Sequence, residues 1–326
     1  MNILITGAGS VMGQSIYKAL AFHDFGEPLN IHFANSEELG AGRFFSLPSA
    51  PVVKTPIFPL AASPEYHSHL RNYVKENNIQ IVFSGTQHEL AAVANYRDET
   101  LRAATLSSSI TDICMDKVST SAVLGRHGIR VPKTSSLKEY LESGNISGPI
   151  VIKPNHSSSS RSIYKVSGLA EAKKLIAEEN IKVDSFLVQE LLTGHEYTCG
   201  CYVDRYTKEI NHIIFKRTLT PDGATSYGEI VLDESISSYL TNIGNALIDE
   251  GLDFGHFNVQ LIQTETGPVL FEINGRLSST EASKAYYGYN SCAAFVYNIV
   301  KQEPFNGWKI AQSGRFLRYY EELYFE

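Results

Sequence analysis

The stretch HFNVQLIQTETGPVLFEINGR, residues 256–276, decides how the rest of the chain is read. Two alternating runs flank Glu265, Thr266 and Gly267, so the segment reads as an antiparallel hairpin with a tight turn. Folding it about Thr266 sets Gln260 opposite Glu272 and Asn258 opposite Asn274. Strand side chains alternate faces, so these four share one side, and Val259, Leu261, Phe271 and Ile273 share the other. One face is oily; the other holds a carboxylate ringed by amides. Hard cations such as Mg2+ prefer that oxygen set, usually with phosphate oxygens and water completing the shell. An ordinary hairpin with a wet face has the same alternation, and a one-residue slip of register would undo the pairing.

Upstream, residues 150 to 263 carry further alternating strands, IVIK, FLVQ, YTCGCYVD and HIIFKR, with a TPDG turn among them. They predict antiparallel hairpins with a few helices. The first hundred residues differ. Short apolar strands at 3–5, 31–34 and 79–83 alternate with helical or loop segments, which predicts a parallel sheet covered on both faces. Residues 44–64 are rich in proline and are expected to be loop. A helix starts after Ser84, and another runs from Asp112 through Met115, Lys117 and Val118. The expected class is α/β, becoming α+β in the C-terminal part: a small doubly wound unit over 1–108, then a two-lobed unit over 109–326 with one lobe near 120–188.

Gly7, Gly9 and Gly13 stand between the first strand and helix, where a dinucleotide or phosphate can approach the backbone. The spacing is not GxGxxG, and Asn35 stands where an acidic ribose ligand is usual, with Glu37 slightly late. A tight packing turn explains the same residues.

With 326 residues, 43% hydrophobic and 19% charged, the chain suits two or three packed units rather than disorder. A net charge of −7 sets aside general nucleic-acid binding, which needs a basic footprint. No apolar run approaches the roughly 20 residues of a membrane span, and MNILITGAGS reads as a buried strand and turn rather than a signal peptide. Cys114, Cys199, Cys201 and Cys292 are scattered through core-like patterns and are expected to be reduced packing residues in a cytoplasmic protein.

The run from Asn258 to Lys284, NVQ followed by FEINGRLSSTEASKAYYG, resembles the closing part of the ATP-grasp domain in the large subunit of carbamoyl phosphate synthetases. The likeness extends upstream in order and covers most of the chain. It implies ATP and Mg2+ (or Mn2+) as cofactors, with metal ligands Gln260, Glu272 and Asn274. It places Lys117 and Lys153 on the phosphates and NHSSSSR (155–161) as the lid, contributing Ser158, Ser159, Ser160 and Arg161. Here serines replace the family's glycines, so close backbone approach to phosphate is less assured. In FLVQELLTGHE, Gln189, Glu190 and Leu191 would receive adenine, and Glu196 the ribose. Arg276, with Lys153, would hold the transferring phosphate. Lys216, Arg217, Ser278, Ser279 and Lys284 would line the pocket for small-molecule carboxylate and amine substrates.

The implied activity is a single-copy carboxylate–amine ligase working through an acyl phosphate, without a membrane or nucleic-acid partner and with a homodimer open. Two rivals stand beside it: a nicotinamide-dependent oxidoreductase or epimerase built on the glycine turn, and an ATP-binding protein without catalysis. The Tyr-rich stretches 286–289 and 319–324 fit acceptor pocket, subunit contact or core alike.

Overall fold

The structure is a computed structural model that describes residues 1–94, 101–155, 162–221 and 223–325, with Ala91 described in its backbone alone. β1 (Asn2–Thr6) leads through the glycine turn into α1 (Val11–Ala21). β2 (Asn30–Phe33), β3 (Val52–Lys54) and β4 (Ile81–Ser84) complete a parallel sheet in the order β3-β2-β1-β4. Helices α2 (Tyr66–Glu76) and α3 (Gln87–Ala94) belong to the same unit. β3 corrects the expectation of loop over 44–64: between Pro51 and Pro56 it forms a short strand at the sheet's edge, where proline is tolerated.

A second correction follows. The helix expected from Asp112 is two, α4 (Ser108–Met115) and α5 (Lys117–Arg126), broken at Asp116. Asp116 is extended (φ −101°, ψ 111°), and its carboxylate accepts from the Ser119 N–H, which caps α5 and makes Lys117 its first residue.

β5 (Thr134–Ser136), β6 (Ile150–Pro154), β7 (Tyr164–Val166) and β8 (Phe186–Glu190) form an antiparallel sheet ordered β5-β8-β6-β7. Helices α6 (Leu137–Ser143) and α7 (Leu169–Glu179) pack on it around Leu137, Tyr140, Ile150, Ile152 and Val188.

The largest sheet is antiparallel. It comprises β9 (His195–Val203), β10 (Ile210–Leu219), β11 (Thr225–Ile230), β12 (Gly255–Thr264), β13 (Gly267–Asn274) and β14 (Arg315–Leu317), ordered β13-β12-β9-β10-β11-β14. One face buries Cys199, Cys201, Val259, Leu261, Leu270 and Ile273 against α4 and the amphipathic α8 (Glu234–Asp249). The other face carries Tyr202 and Phe215 into a core shared with Ile3, Phe33 and Phe83 of the parallel sheet. Helices α9 (Glu281–Tyr286) and α10 (Ser291–Val296) sit between the two sheets. That continuous core fixes the parallel sheet beside the polar edge of the hairpin face. Among the described residues, no helix is long and apolar enough to cross a membrane.

Candidate active site

The β12–β13 hairpin pairs Asn258 with Asn274 and Gln260 with Glu272, as its alternation requires. The turn itself pairs Thr264 with Gly267, a ladder that would set Gln260 opposite Phe271 if it ran on unbroken. A bulge between Gln260 and Leu261 absorbs one residue and restores the pairing. Phe271 is that residue, which corrects its placement on the oily face: Leu270 pairs with Leu261 there instead, and Phe271 stays outside that core.

Phe271 serves the polar side. Its carbonyl accepts from Lys153 Nζ at 3.1 Å, and the ammonium lies 5.4 Å from its ring centre. Lys153, on β6, also donates to Gln189 Oε1 on β8 at 2.8 Å. Lys117 Nζ stands 3.8 Å from Glu272 Oε1 and donates to the Asn155 carbonyl at 3.0 Å. Burial pushes the Lys153 ammonium down to about 8, its neighbour Lys117 pushes the same way, and Glu272 opposes both. Two buried lysines thus face one carboxylate. That excess of positive charge fits a polyphosphate, and Glu272 with the Gln260 and Asn274 amide oxygens fits a hard cation shared with phosphate. Among the described residues, no group of three His, Cys, Asp or Glu forms a cage by itself.

Around this centre the structure sorts the remaining sequence-derived residues. Arg217 Nε donates to Glu196 Oε1 at 2.9 Å, and a second guanidinium nitrogen reaches both that oxygen and Gln260 Oε1, the latter at 3.1 Å. Lys216 takes the opposite face by alternation, paired across the sheet with Tyr197 and Glu229. Gln189 is buried and spends its amide on Thr134. Glu190 accepts from the Lys133 N–H at 3.2 Å, and the Leu191 N–H bonds to the Pro149 carbonyl. Ser158, Ser159, Ser160 and Arg161 lie outside the described residues.

Lys284 is wholly buried, its ammonium shared by Asn258 Oδ1 (2.8 Å), Ser278 Oγ (3.0 Å) and Glu281 Oε1 (2.8 Å). Burial opposes the charged Glu281 carboxylate, but Lys284 and the hydrogen bonds from Lys284 and Ser291 outweigh it and hold the group below the usual carboxylate range. Burial pushes His256 down to about 3, so it is neutral beside Glu281, with Tyr289 OH 3.1 Å from Nδ1. Lys284 therefore bolts β12 to the turn after β13.

Arg276 crosses to the glycine turn. One terminal nitrogen donates to the Leu277 carbonyl at 3.0 Å and lies 3.7 Å from Met12 Sδ, while its buried Nε has no hydrogen-bond partner among the described residues. Burial lowers its pKa; Glu272 and Glu281 oppose that. In the turn, the Gly9 N–H is taken by Asn35 Oδ1 at 2.7 Å, so Asn35 closes the turn rather than facing a ribose. Gly7 has φ +53°, and a Cβ there would lie 2.5 Å from Glu89 Oε2, so only glycine fits.

A description of the ATP-grasp domain family matches residues 114–280, just over half of the sequence. The chain belongs to the ATP-grasp family. A curated relative, D-alanine–D-alanine ligase of Bordetella petrii, is 29% identical over 92 residues, 27% of this chain and 28% of that enzyme. The match thus spans little more than a quarter of the relative's length. The L-amino acid ligase of Bacillus licheniformis superposes with a TM-score of 0.69 at 16% identity, over 93% of this chain and 74% of that one. N5-carboxyaminoimidazole ribonucleotide synthetase of Thermus thermophilus gives 0.73 at 12% identity, over 97% and 82%. These structural likenesses establish the ATP-grasp fold.

Sequence reasoning missed two contributors to this ATP-grasp site, Asp116 and Phe271, and placed Asn155 only as part of the lid. Asn155 accepts from the Lys117 N–H through Oδ1 at 3.1 Å and donates to Asp116 Oδ2 at 2.8 Å, tying β6 to α5. Asp116 was findable, as an Asp-x-x-Ser helix cap. Phe271 gave no signal, because a bulge leaves no mark in an alternating run.

Proposed function

We propose that this chain is an ATP- and Mg2+-dependent carboxylate–amine ligase that forms an amide and releases ADP and phosphate. The observation that carries the reading is the pair of buried lysines, Lys117 and Lys153, converging on Glu272 within the amide-ringed hairpin face. Gln260, Glu272 and Asn274 would hold Mg2+, whose contribution is to neutralise charge on the phosphate oxygens. Lys117 and Lys153 would position the phosphates. Residues 109–326 would grip the nucleotide between the β5–β8 and β9–β14 sheets, with Glu196 and its partner Arg217 at the ribose end. Residues 1–108 would complete the acceptor side.

In the first step a substrate carboxylate oxygen attacks the γ-phosphorus, the bond to the β-phosphate oxygen breaks, and ADP leaves. Arg276 would hold the resulting acyl phosphate, since its buried guanidinium has an N–H without a hydrogen-bond partner among the described residues. An amine then attacks the acyl carbon, the carbon–oxygen bond to phosphate breaks, and the amine's proton passes to solvent. No protein nucleophile is required. The relatives named ligases, for D-alanine and for L-amino acids, support amino acids as the first substrates to try.

The test is ADP and phosphate release with MgATP across a pool of amino acids and small carboxylates. Release that depends on one carboxylate and one amine is expected. MgATP binding without such release from any pair would overturn the ligase reading and leave a nucleotide-binding protein.

A further inference from the structure

The Tyr-rich C-terminal stretch is resolved by the fold into two different things. Tyr289 is core, whereas the segment 319–325 is surface, with Tyr320 99% and Tyr324 88% exposed. What precedes that segment is tightly fixed. β14 pairs with β11 through Leu317–Tyr227, Phe316–Gly228 and Arg315–Glu229. The Phe316 ring packs against Gly228, where any Cβ would sit 2.4 Å from it, and meets Phe215 at 5.2 Å. Arg318 donates its N–H to the Ser226 carbonyl and its guanidinium to the Ser279 carbonyl. Ser279 lies three residues after Arg276, in the loop that carries the proposed phosphate-holding arginine.

The far end lands elsewhere. Phe325 stacks on Phe44, with ring centres 3.9 Å apart and planes 6° from parallel. Phe44 ends the turn at Ala41–Arg43, which backs the glycine turn: Gly42 abuts Ala8, and Gly40 abuts Asn35, the residue that closes the turn. Residues 319–325 therefore run from the Arg276 loop on one side to the glycine-turn side on the other. Those are the two walls between which Arg276 reaches Met12. The segment is anchored firmly at Arg318 and held at its distal end by the Phe44–Phe325 stack.

We propose that residues 319–325 are a hinged strap across the acceptor cleft, and that the Phe44–Phe325 stack sets which amine or carboxylate is retained there. The proposal rests on the ligase reading for the identity of the cleft. Its physical content is that a compact acceptor is enclosed when Phe325 docks, while a larger one holds the strap open. Firm anchoring at Arg318 and an aromatic stack at the other end suit a segment that must open and reclose at each turnover.

Chymotrypsin cleavage, which reads access to Tyr319, Tyr320 and Tyr324, tests the strap separately from catalysis. The full chain is digested with MgADP alone and with MgADP plus the same pool of amino acids and small carboxylates. One pool member is expected to slow cleavage at these tyrosines at least fivefold beyond MgADP alone. Phe44→Ala is expected to abolish that protection and to raise the acceptor KM about tenfold, with the KM for ATP and the melting temperature unchanged. Protection without turnover would leave the strap standing and sink the ligase reading. Turnover without protection by any pool member would overturn the strap and leave the ligase. A Phe44→Ala protein protected as well as wild type would also overturn it. Phe325→Ala, at an exposed position outside the core, repeats the test should Phe44→Ala melt early.

Discussion

Glu272 and Lys153 carry opposite halves of the site's electrostatics. Replacing Glu272 by Ala removes the one carboxylate on the hairpin face, which lies beside Lys117 and raises the pKa of Lys153. The expected loss of ATP turnover is about 100-fold or more, with the circular dichroism spectrum unchanged, because preorganised charge dominates phosphoryl transfer. Lys153 makes a pH prediction. Its folded pKa of about 8 lies below its ordinary value of 10.5, so the unfolded chain holds a proton that the folded chain gives up between those values. Stability of the ligand-free protein therefore rises as pH climbs from 8 to 10.5, and the penalty of the buried charge is fully present below 8. Nucleotide binding needs the charged form, so ATP affinity falls above pH 8. Titrations across pH 6.5–9.5 check both, and Lys153→Arg should flatten the affinity profile through this window. Both lysines were legible, as a strand-end cation and a cation early in a helix; how far burial shifts Lys153 was not, since that depends on β8 and β13 closing over it.

At the scale of elements, the hairpin and its bolt act together. Lys284 ties Asn258 on β12 to Ser278 and to Glu281 at the start of α9. Lys284→Ala strands the Glu281 carboxylate in a fully buried place and is expected to cost about 3–5 kcal/mol of stability by urea unfolding. The double variant Lys284→Met/Glu281→Gln should recover much of that, because it removes the unpaired charge. A Lys284 that served only as a substrate contact would leave unfolding unchanged in the single variant. The hairpin's register was readable at the site, yet for a reason the alternation hides. The turn centre alone would misplace Glu272 by one residue, and the bulge at Phe271 corrects it. Likewise Asp116 divides one expected helix into two, and so makes Lys117 the first residue of its helix rather than a turn into a longer one.

For the whole molecule, the shared core of Ile3, Phe33, Phe83, Tyr202, Phe215 and Phe295 couples the parallel sheet to the large antiparallel one. The two should therefore melt in one transition under calorimetry. MgATP at about 100 times its dissociation constant should add about 2.7 kcal/mol to that stability. Adding EDTA should remove most of the gain and abolish turnover, while leaving the ligand-free transition where it was, since the core that couples the sheets is built from apolar side chains.

The sequence alone determined the fold class, the alternating faces of the 256–276 hairpin apart from Phe271, and the turn and cap positions along the chain. These follow from local rules: side chains alternate along a strand, and glycines and capping residues mark turns and helix starts. Only the tertiary structure decided which polar groups are spent on one another. Asn258 is held by Lys284 and Thr198, Glu196 by Arg217, Gln189 by Lys153, and Asn35 by the glycine turn. Those pairings join residues from 21 to 60 positions apart. A hydrogen bond at such separation exists only after the sheets have closed, because it depends on the burial that denies each partner its water.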